Sequence, residues 1–211
     1  MNEVSVRNMA IELPIKKRII LHLCADIGSD SQPYREAGYD VRCIGKNIGV
    51  ENYHPPPENV YGIIANPPCT MFSIARTKAK TPRDLKQGMV AVHHCVRIIH
   101  ECIYKQYDEH SRKMPVNFWV IENPGTGYLK WFLGQPRFEY CPSWYGGTFT
   151  KRTALWGQFN IPKIPFMESV LENGVRSLGG NYGRNKHLWF SGDEKAVCEP
   201  KFAKAFFMVN Q

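Results

Sequence analysis

The sequence has no apolar run long enough to span a membrane, which argues against an integral membrane protein. Its first 20 residues include acidic side chains and lack an apolar core, so they do not resemble a signal peptide. We therefore expect a cytoplasmic protein, located in the host cytoplasm if it is encoded by a phage. No internal repeat or low-complexity tract is present, so a repeat architecture is not expected.

The cysteines lack any C-x-x-C spacing, are odd in number and are scattered, which argues against a disulfide framework and against a zinc site. Reduced thiols are the simpler interpretation. His93 and His94 are adjacent, so they face different directions on a helix, and no third ligand is spaced to join them. We expect no metal site. The seven cysteines are at positions 24, 43, 69, 95, 102, 141 and 198.

Acidic residues are few relative to basic ones, with 19 Asp and Glu against 27 Lys and Arg. The resulting net charge of +8 favours a polyanionic partner, and nucleic acid is the leading candidate. A length of 211 residues suits one large domain, or one domain with a small appendage.

Short apolar runs alternate with segments compatible with helices, a pattern typical of a parallel sheet with right-handed crossovers. The residues between 82 and 104 carry apolar side chains at three- and four-residue spacing and predict a helix with one core-facing stripe. The fold class expected is α/β, a doubly wound and mainly parallel sheet. The predicted strands are residues 17–24, 41–45, 60–66 and 116–123, with 151–159 as a further candidate.

Three stretches follow predicted strands: "ADIGSDS" after the first, "NPPC" after the third and "ENP" after "NFWVI". In a doubly wound sheet all three lie at the carboxyl edge, so Cys69 and Glu122 can meet at one cleft. Pro67 and Pro68 lack the N–H groups that strand pairing needs, so the strand must end before Cys69. Taken alone, a cysteine in such a turn is more often a small apolar filler.

The ordered series "LHLCADIGSDSQPYREAGYDV", "ANPPCTMFS", "WVIENP", "TKRTALWG" and "PKFAKAFFMVNQ" resembles the cytosine-C5 DNA methyltransferase family, particularly its short bacteriophage-type members. The resemblance spans residues 18 to 211 and implies a Rossmann-like methyltransferase sheet, DNA as partner and S-adenosylmethionine as cofactor. It also implies that Cys69 is the nucleophile that adds to C6 of cytosine and that Glu122 acts as the proton donor near N3. The basic motif corresponds best to "TKRT", with Arg152 as the orienting side chain and Lys151 as an electrostatic helper that contacts nucleic acid.

The turn after the first strand departs from the family pattern. Relatives have Phe-x-Gly-x-Gly there, whereas this chain has Cys24, Asp26 and Gly28 at the corresponding positions. The second strand also lacks the acidic residue that binds the ribose, and Asp26, Asp30 or Glu51 could replace it. The cofactor-binding residues that the resemblance implies are Cys24, Ala25, Asp26, Gly28, Asp30, Asn66 and Pro67.

The chain is short for a family member that recognises a long site. We expect a catalytic core over residues 1–157, a small irregular recognition region over 158–192 and a C-terminal segment, 193–211, that returns to the core. "GGNYGRNKHLWF" offers Arg184 and Lys186 for phosphate contact, although a basic surface loop explains it equally well. Sequence discrimination should be limited.

Three other functions stay open. An amino-group methyltransferase would also carry Asn-Pro-Pro, but with an aromatic residue in place of Cys69. A catalytically inactive nucleic-acid-binding homologue is suggested by the altered cofactor turn, and binding of S-adenosylmethionine would discriminate it. The same thiol chemistry could also act on RNA or on free nucleotides.

Overall fold

The structure is a computed structural model that describes residues 14–25, 27–76, 79–147, 149–165, 176–177 and 197–211. These residues form a six-stranded sheet and a two-stranded sheet. The strands are β1 (Ile19–Leu23), β2 (Asp40–Ile44), β3 (Val60–Ala65), β4 (Phe118–Pro124), β5 (Phe138–Tyr140), β6 (Phe149–Thr150), β7 (Thr153–Gln158) and β8 (Arg176–Ser177). The α-helices are α1 (Gln32–Glu36), α2 (Leu85–Lys105), α3 (Lys130–Leu133) and α4 (Pro200–Asn210).

The larger sheet has the strand order β2-β1-β3-β4-β7-β5. The first four strands are parallel, because β1 pairs with β2 and β3, and β3 pairs with β4, all in the same direction. All four lie within two residues of the predicted boundaries, so the mostly parallel α/β sheet is confirmed. The architecture is compatible with a Rossmann-like fold.

The strand β7 runs antiparallel to both β4 and β5. The sequence offers residues 151–159 as a candidate strand without a direction, and the structure forms a strand there that is antiparallel to its neighbours. A parallel strand needs a crossover, usually through a helix. After β5 the chain instead forms a 3-10 turn, Pro142–Tyr145, capped by Gly146 in the left-handed conformation. The chain therefore returns in the opposite direction and inserts β7 between β4 and β5.

The helix α2 covers one face of the sheet, and its predicted apolar stripe is confirmed. Met89, Val92 and Ile99 are buried in a cluster with Leu21, Ile63, Ile121 and Trp156 from the strands, and Val96 and Ile103 pack against that cluster. The helix begins after Asp84, whose carboxylate accepts a hydrogen bond from the Gln87 N–H at 2.8 Å. This cap satisfies one of the free N–H groups of the first turn.

A second apolar cluster lies on the opposite face, where α1 and α4 pack. The ring of Tyr140 stacks on Phe202 with centroids 3.7 Å apart, and Phe206 packs edge-on against Phe118. Asn210, at the end of α4, is buried, and its Oδ1 accepts a hydrogen bond from the Asn160 N–H at 2.7 Å. Residues 197–211 are thus fixed to the sheet. None of the helices in the described ranges is long and apolar enough to cross a membrane.

Candidate active site

The ends of β1, β3 and β4 lie side by side at the carboxyl edge of the sheet. The Asn66 N–H donates to the Leu23 oxygen at 3.0 Å, which links the first two turns. Asn123 is fully buried, and its Nδ2–H donates to the Pro67 oxygen at 2.9 Å. The "ENP" stretch and the "NPPC" stretch, far apart in sequence, are therefore in direct contact.

Cys69 opens a tight turn directly after this contact. Its carbonyl oxygen accepts hydrogen bonds from the N–H groups of Phe72, at 2.9 Å, and Ser73, at 2.8 Å. The residue is partly buried, and burial raises the pKa of the thiol. Lys151 opposes this rise in pKa, whereas Glu122 adds to it. The thiol thus lies within the electrostatic field of two ionisable side chains. A cysteine that only filled space in the apolar core would not be in such a field.

Glu122 faces the same edge with only 17% of its side chain exposed. Its Oε2 accepts a long hydrogen bond from Asn66 Nδ2 at 3.5 Å, and its Oε1 lies 3.7 Å from Lys151 Nζ. Burial raises the pKa of Glu122, and Lys151 is the strongest opposing influence. A carboxyl group whose pKa is raised holds its proton more readily and is suited to donate it to a substrate. We call Asn66, Cys69, Glu122 and Lys151 the edge cluster.

Lys151, rather than Arg152, is the basic residue that reaches Glu122. Side chains along a strand point alternately to opposite faces of the sheet. In β7, Leu155 lies in the cluster beneath α4, whereas Ala154 and Trp156 lie in the cluster beneath α2. Continuing that alternation toward the N-terminus puts Lys151 on the same face as Leu155, which is opposite Glu122 in the pairing of β4 with β7.

Arg152 is one residue further along the chain, so its side chain points to the opposite face of the sheet, the face covered by α2. Its Nε–H donates to Glu139 Oε2 at 2.8 Å, and its side chain is 60% exposed. Glu139 is opposite Ala154 in the pairing of β5 with β7, so both partners of this ion pair project from the same face. The structure therefore does not bring the predicted orienting residue Arg152 to the edge cluster. It brings Lys151, which the sequence had suggested only as a helper.

A buried histidine supports the edge cluster from β1. His22 is 1% exposed, with Nδ1 2.8 Å from Ser31 Oγ and Nε2 3.0 Å from Asn66 Oδ1. The amide of Asn66 also points its Nδ2 toward Asp30 Oδ2 at 3.4 Å. Asn66 is thereby held between β1 and β4. Sequence reasoning missed His22, although a polar residue inside the apolar run "IILHL" was the available signal.

The turn after β1 has the tight conformation that a glycine-rich turn would have. Cys24 adopts a positive φ of 57° and Gly28 a φ of 75°. Ala25 is buried and its N–H donates to the Ile44 oxygen at 3.3 Å, which ties the turn to the end of β2. Asp30 is directed to Asn66 and the edge cluster. Asp26 lies outside the described residues.

The C-terminal segment contributes a residue that sequence reasoning did not single out. The Cys198 N–H donates to Ser29 Oγ at 2.9 Å, so the segment before α4 closes over the turn that follows β1. Burial raises the pKa of the Cys198 thiol, and Asp30 and Glu122 add to the rise. Cys198 therefore lies within the electrostatic field of Asp30 and Glu122.

The predicted nucleic-acid contacts Arg184 and Lys186 lie outside the described residues. His93 is exposed and His94 partly buried on α2. In the part of the chain that the structure describes, no group of three or more His, Cys, Asp or Glu residues is arranged to hold a metal ion.

No protein-family model matches this sequence, and a search of curated proteins finds no significant match. Inference about function therefore depends on the residues of the edge cluster and the fold that positions them.

Proposed function

We propose that the protein is an S-adenosylmethionine-dependent DNA cytosine-5 methyltransferase that acts through a covalent bond between Cys69 and the target base. One observation carries the proposal: the Glu122 carboxylate lies 3.7 Å from the Lys151 ammonium at the carboxyl edge of the sheet, and both groups act electrostatically on the Cys69 thiol. A nucleophile, a proton donor and a cation close together are what addition to a pyrimidine ring requires.

The residues divide the chemistry among them. The Cys69 thiol loses its proton to solvent and its sulfur bonds to C6, while the electron pair of the C5–C6 double bond shifts into the ring. Glu122 donates a proton to N3 and so neutralises the negative charge that addition creates. Lys151 favours the thiolate before addition and stabilises ring charge during it. Loss of the C5 proton to solvent later re-forms the C5–C6 double bond and expels the sulfur as a thiolate. The N3 proton returns to Glu122, and the thiolate takes a proton from solvent.

The turns after β1 and β2 fit S-adenosylmethionine, which when bound supplies the methyl group that C5 accepts. Gly28 and Cys24 give the first turn its left-handed conformations, which let main chain approach a ligand closely. Glu51 supplies a carboxylate after β2, where open α/β sheets bind a ribose. Gly49 makes room for that carboxylate, since a Cβ at Gly49 would lie 2.5 Å from Glu51 Oε1.

The alternatives make different demands on the edge cluster. An amino-group methyltransferase needs no thiol, so it would not need Lys151 to lower the pKa of Cys69. An inactive nucleic-acid-binding homologue would not need a buried carboxyl group whose pKa is raised. An enzyme acting on RNA or nucleotides would use the same residues, and only substrate tests separate it from the proposal.

The proposal is tested with DNA that carries 5-fluorocytosine. Fluorine at C5 cannot leave as a cation, so the adduct should be trapped after methyl transfer. We expect a denaturation-resistant complex that requires S-adenosylmethionine, is absent in Cys69→Ala and is unchanged in the matched thiol variant Cys141→Ala. Glu122→Gln should form it at least about 100-fold more slowly, because an amide cannot donate the proton.

Parallel reactions with labelled cofactor and DNA, RNA or deoxycytidine monophosphate identify the substrate class. Normal methylation by Cys69→Ala would exclude the thiol mechanism and favour the amino-group alternative. Absence of both cofactor binding and methyl transfer in the wild type would favour the inactive homologue.

A further inference from the structure

A concave site lies on the other side of β7 from the edge cluster. It has a volume of about 560 Å³ and is formed by the loop after β4, by α3, by the segment leading into β5 and by Arg152. We call it the side cavity. Its volume is within the range of pockets that bind small molecules.

The side cavity carries a net positive charge. Lys130, Arg137 and Arg152 line it together with one carboxylate, Glu139, which leaves three cations against one anion. Arg137 is held in place, because its Nε–H donates to the Phe159 oxygen at 3.1 Å and its guanidinium lies 5.6 Å from the Phe159 ring centre. Cations fixed in this way are suited to bind phosphate.

The walls also carry groups that can form hydrogen bonds with the edge of a base. Gln135 offers an amide, and the Glu139 and Arg152 pair offers an acceptor next to a donor. Arg, Gln and Glu are the side chains that pair with base edges in protein complexes with DNA. Gly125 preserves the space for this pair, since a Cβ there would lie 2.9 Å from Glu139 Oε1 and 3.1 Å from Arg152 Cγ.

The aromatic surface beside the side cavity also suits a nucleic acid. Trp131 follows Lys130 on α3 and is 65% exposed, although tryptophan is highly buried on average. Its ring lies 4.4 Å from that of Tyr128, and the guanidinium of Arg83 lies 4.6 Å from the Tyr128 ring centre. Exposed aromatic rings among cations are the usual stacking surface for unpaired bases.

The side cavity and the edge cluster use consecutive residues just before β7. Lys151 belongs to the edge cluster and Arg152 to the side cavity, where the Arg152 oxygen accepts a hydrogen bond from the Gly125 N–H at 2.8 Å. Successive nucleotides of a strand rise by about 3.4 Å. The consecutive residues Lys151 and Arg152 are therefore close enough for one nucleic-acid strand to contact both.

We infer that the side cavity binds the nucleotide next to the target pyrimidine and makes the reaction depend on that flanking base. Lys130 and Arg137 hold its phosphate, while Gln135, Glu139 and Arg152 contact its base. Identification of the neighbouring base as the target depends on the proposed function. The binding itself depends only on the geometry and charge of the side cavity.

The test compares two full-length variants with the same loss of charge. Lys130→Gln with Arg137→Gln changes the side cavity, whereas Arg112→Gln with Lys113→Gln changes exposed residues elsewhere. Binding of a fluorescein-labelled 12-nucleotide single strand is followed by anisotropy between about 50 and 200 mM salt. We expect the first variant to bind at least about tenfold more weakly, with a salt slope reduced by about one to two, and the control to change about twofold.

A second comparison tests base contact. The wild type should methylate substrates with different flanking bases at rates that differ by about tenfold or more, and Gln135→Ala should reduce that difference to less than about threefold. Equal losses of binding in the two charge variants would overturn the inference, as would an unchanged flanking preference in Gln135→Ala. If no pyrimidine is methylated, the proposed function fails, and the anisotropy comparison alone decides whether the side cavity binds a nucleotide.

Discussion

Replacing Lys151 by Met tests whether the basic residue of the edge cluster has been identified correctly. Methionine keeps the length and much of the apolar stem of lysine but removes the ammonium group. Glu122 then keeps a buried carboxylate without its cation. The matched change, Arg152→Met, removes the same charge one residue away on the other face of β7.

The magnitude follows from the geometry. Two unit charges 3.7 Å apart attract by about 4 kcal/mol at an effective dielectric constant near 20. Desolvation cancels part of this, and the side chains are 27% and 17% exposed, so we expect Lys151→Met to lower the free energy of unfolding by about 2 kcal/mol. That corresponds to a fall in Tm of about 4 to 8 °C for a protein of this size. Arg152 is 60% exposed, and its loss should cost less than about 1 kcal/mol.

The destabilisation caused by Lys151→Met should depend on pH in a definite direction. Burial raises the pKa of Glu122 above its ordinary value of 4.5, and removing Lys151 raises that pKa further. A carboxyl group with a raised folded-state pKa loses stability as the pH rises through that pKa. The loss of unfolding free energy caused by Lys151→Met should therefore be small at acid pH, where Glu122 is protonated in both proteins. This loss should grow toward neutral pH.

The assay is urea denaturation of the wild type, the two single variants Lys151→Met and Glu122→Gln, and the double variant at several pH values. We expect a coupling free energy of at least about 1 kcal/mol between the two residues at neutral pH. A coupling near zero, or an equal cost for Arg152→Met, would refute the assignment of Lys151 to the edge cluster.

Two further predictions concern the thiols and the cofactor turn. Lys151→Met should slow iodoacetamide alkylation of Cys69 at pH 8, because Lys151 lowers the pKa of that thiol, and should leave Cys141 unchanged when both are followed by peptide mass spectrometry. Equal slowing of both thiols would contradict this. Glu51→Gln should weaken S-adenosylmethionine binding at least about tenfold by calorimetry, whereas Asp30→Asn should change it less than about threefold, since the Asp30 carboxylate faces the edge cluster. The reverse order would assign the ribose contact to Asp30.

Most of the sheet could be predicted from the sequence because the signals are local. The strands β1, β3 and β4 are mostly apolar, with Asn66 directly after β3 and Pro124 at the end of β4, and α2 has an apolar stripe at helical spacing. The direction of β7 could not be predicted in the same way. Direction depends on whether the preceding chain forms a crossover helix, and "CPSWYGG" forms a turn instead.

The site was predictable to the level of the strand ends, but not to the level of individual basic residues. The order "NPPC" before "ENP" was enough to predict that both stretches would lie at one edge. The choice between Lys151 and Arg152 depends on the phase of β7, which "TALW" alone does not fix, because it is apolar on both faces. The pairing of Glu122 opposite Leu155 determines which side chains of β7 point to which face. This pairing is a contact between residues far apart in sequence, so the local sequence does not reveal it.

The register of β7 is therefore a functional constraint as well as a structural one. A slip of one residue would exchange the faces of all its side chains. Lys151 would then leave Glu122 and face the side cavity, and Arg152 would leave Glu139. The two sites would thus exchange Lys151 and Arg152 through a single change in strand pairing, and each ion pair would be broken. Gly157 helps to prevent this slip, because a side chain there would collide with the backbone of Trp119 on β4. Two adjacent basic residues can thus serve two different sites only because the antiparallel pairing of β7 with β4 is fixed.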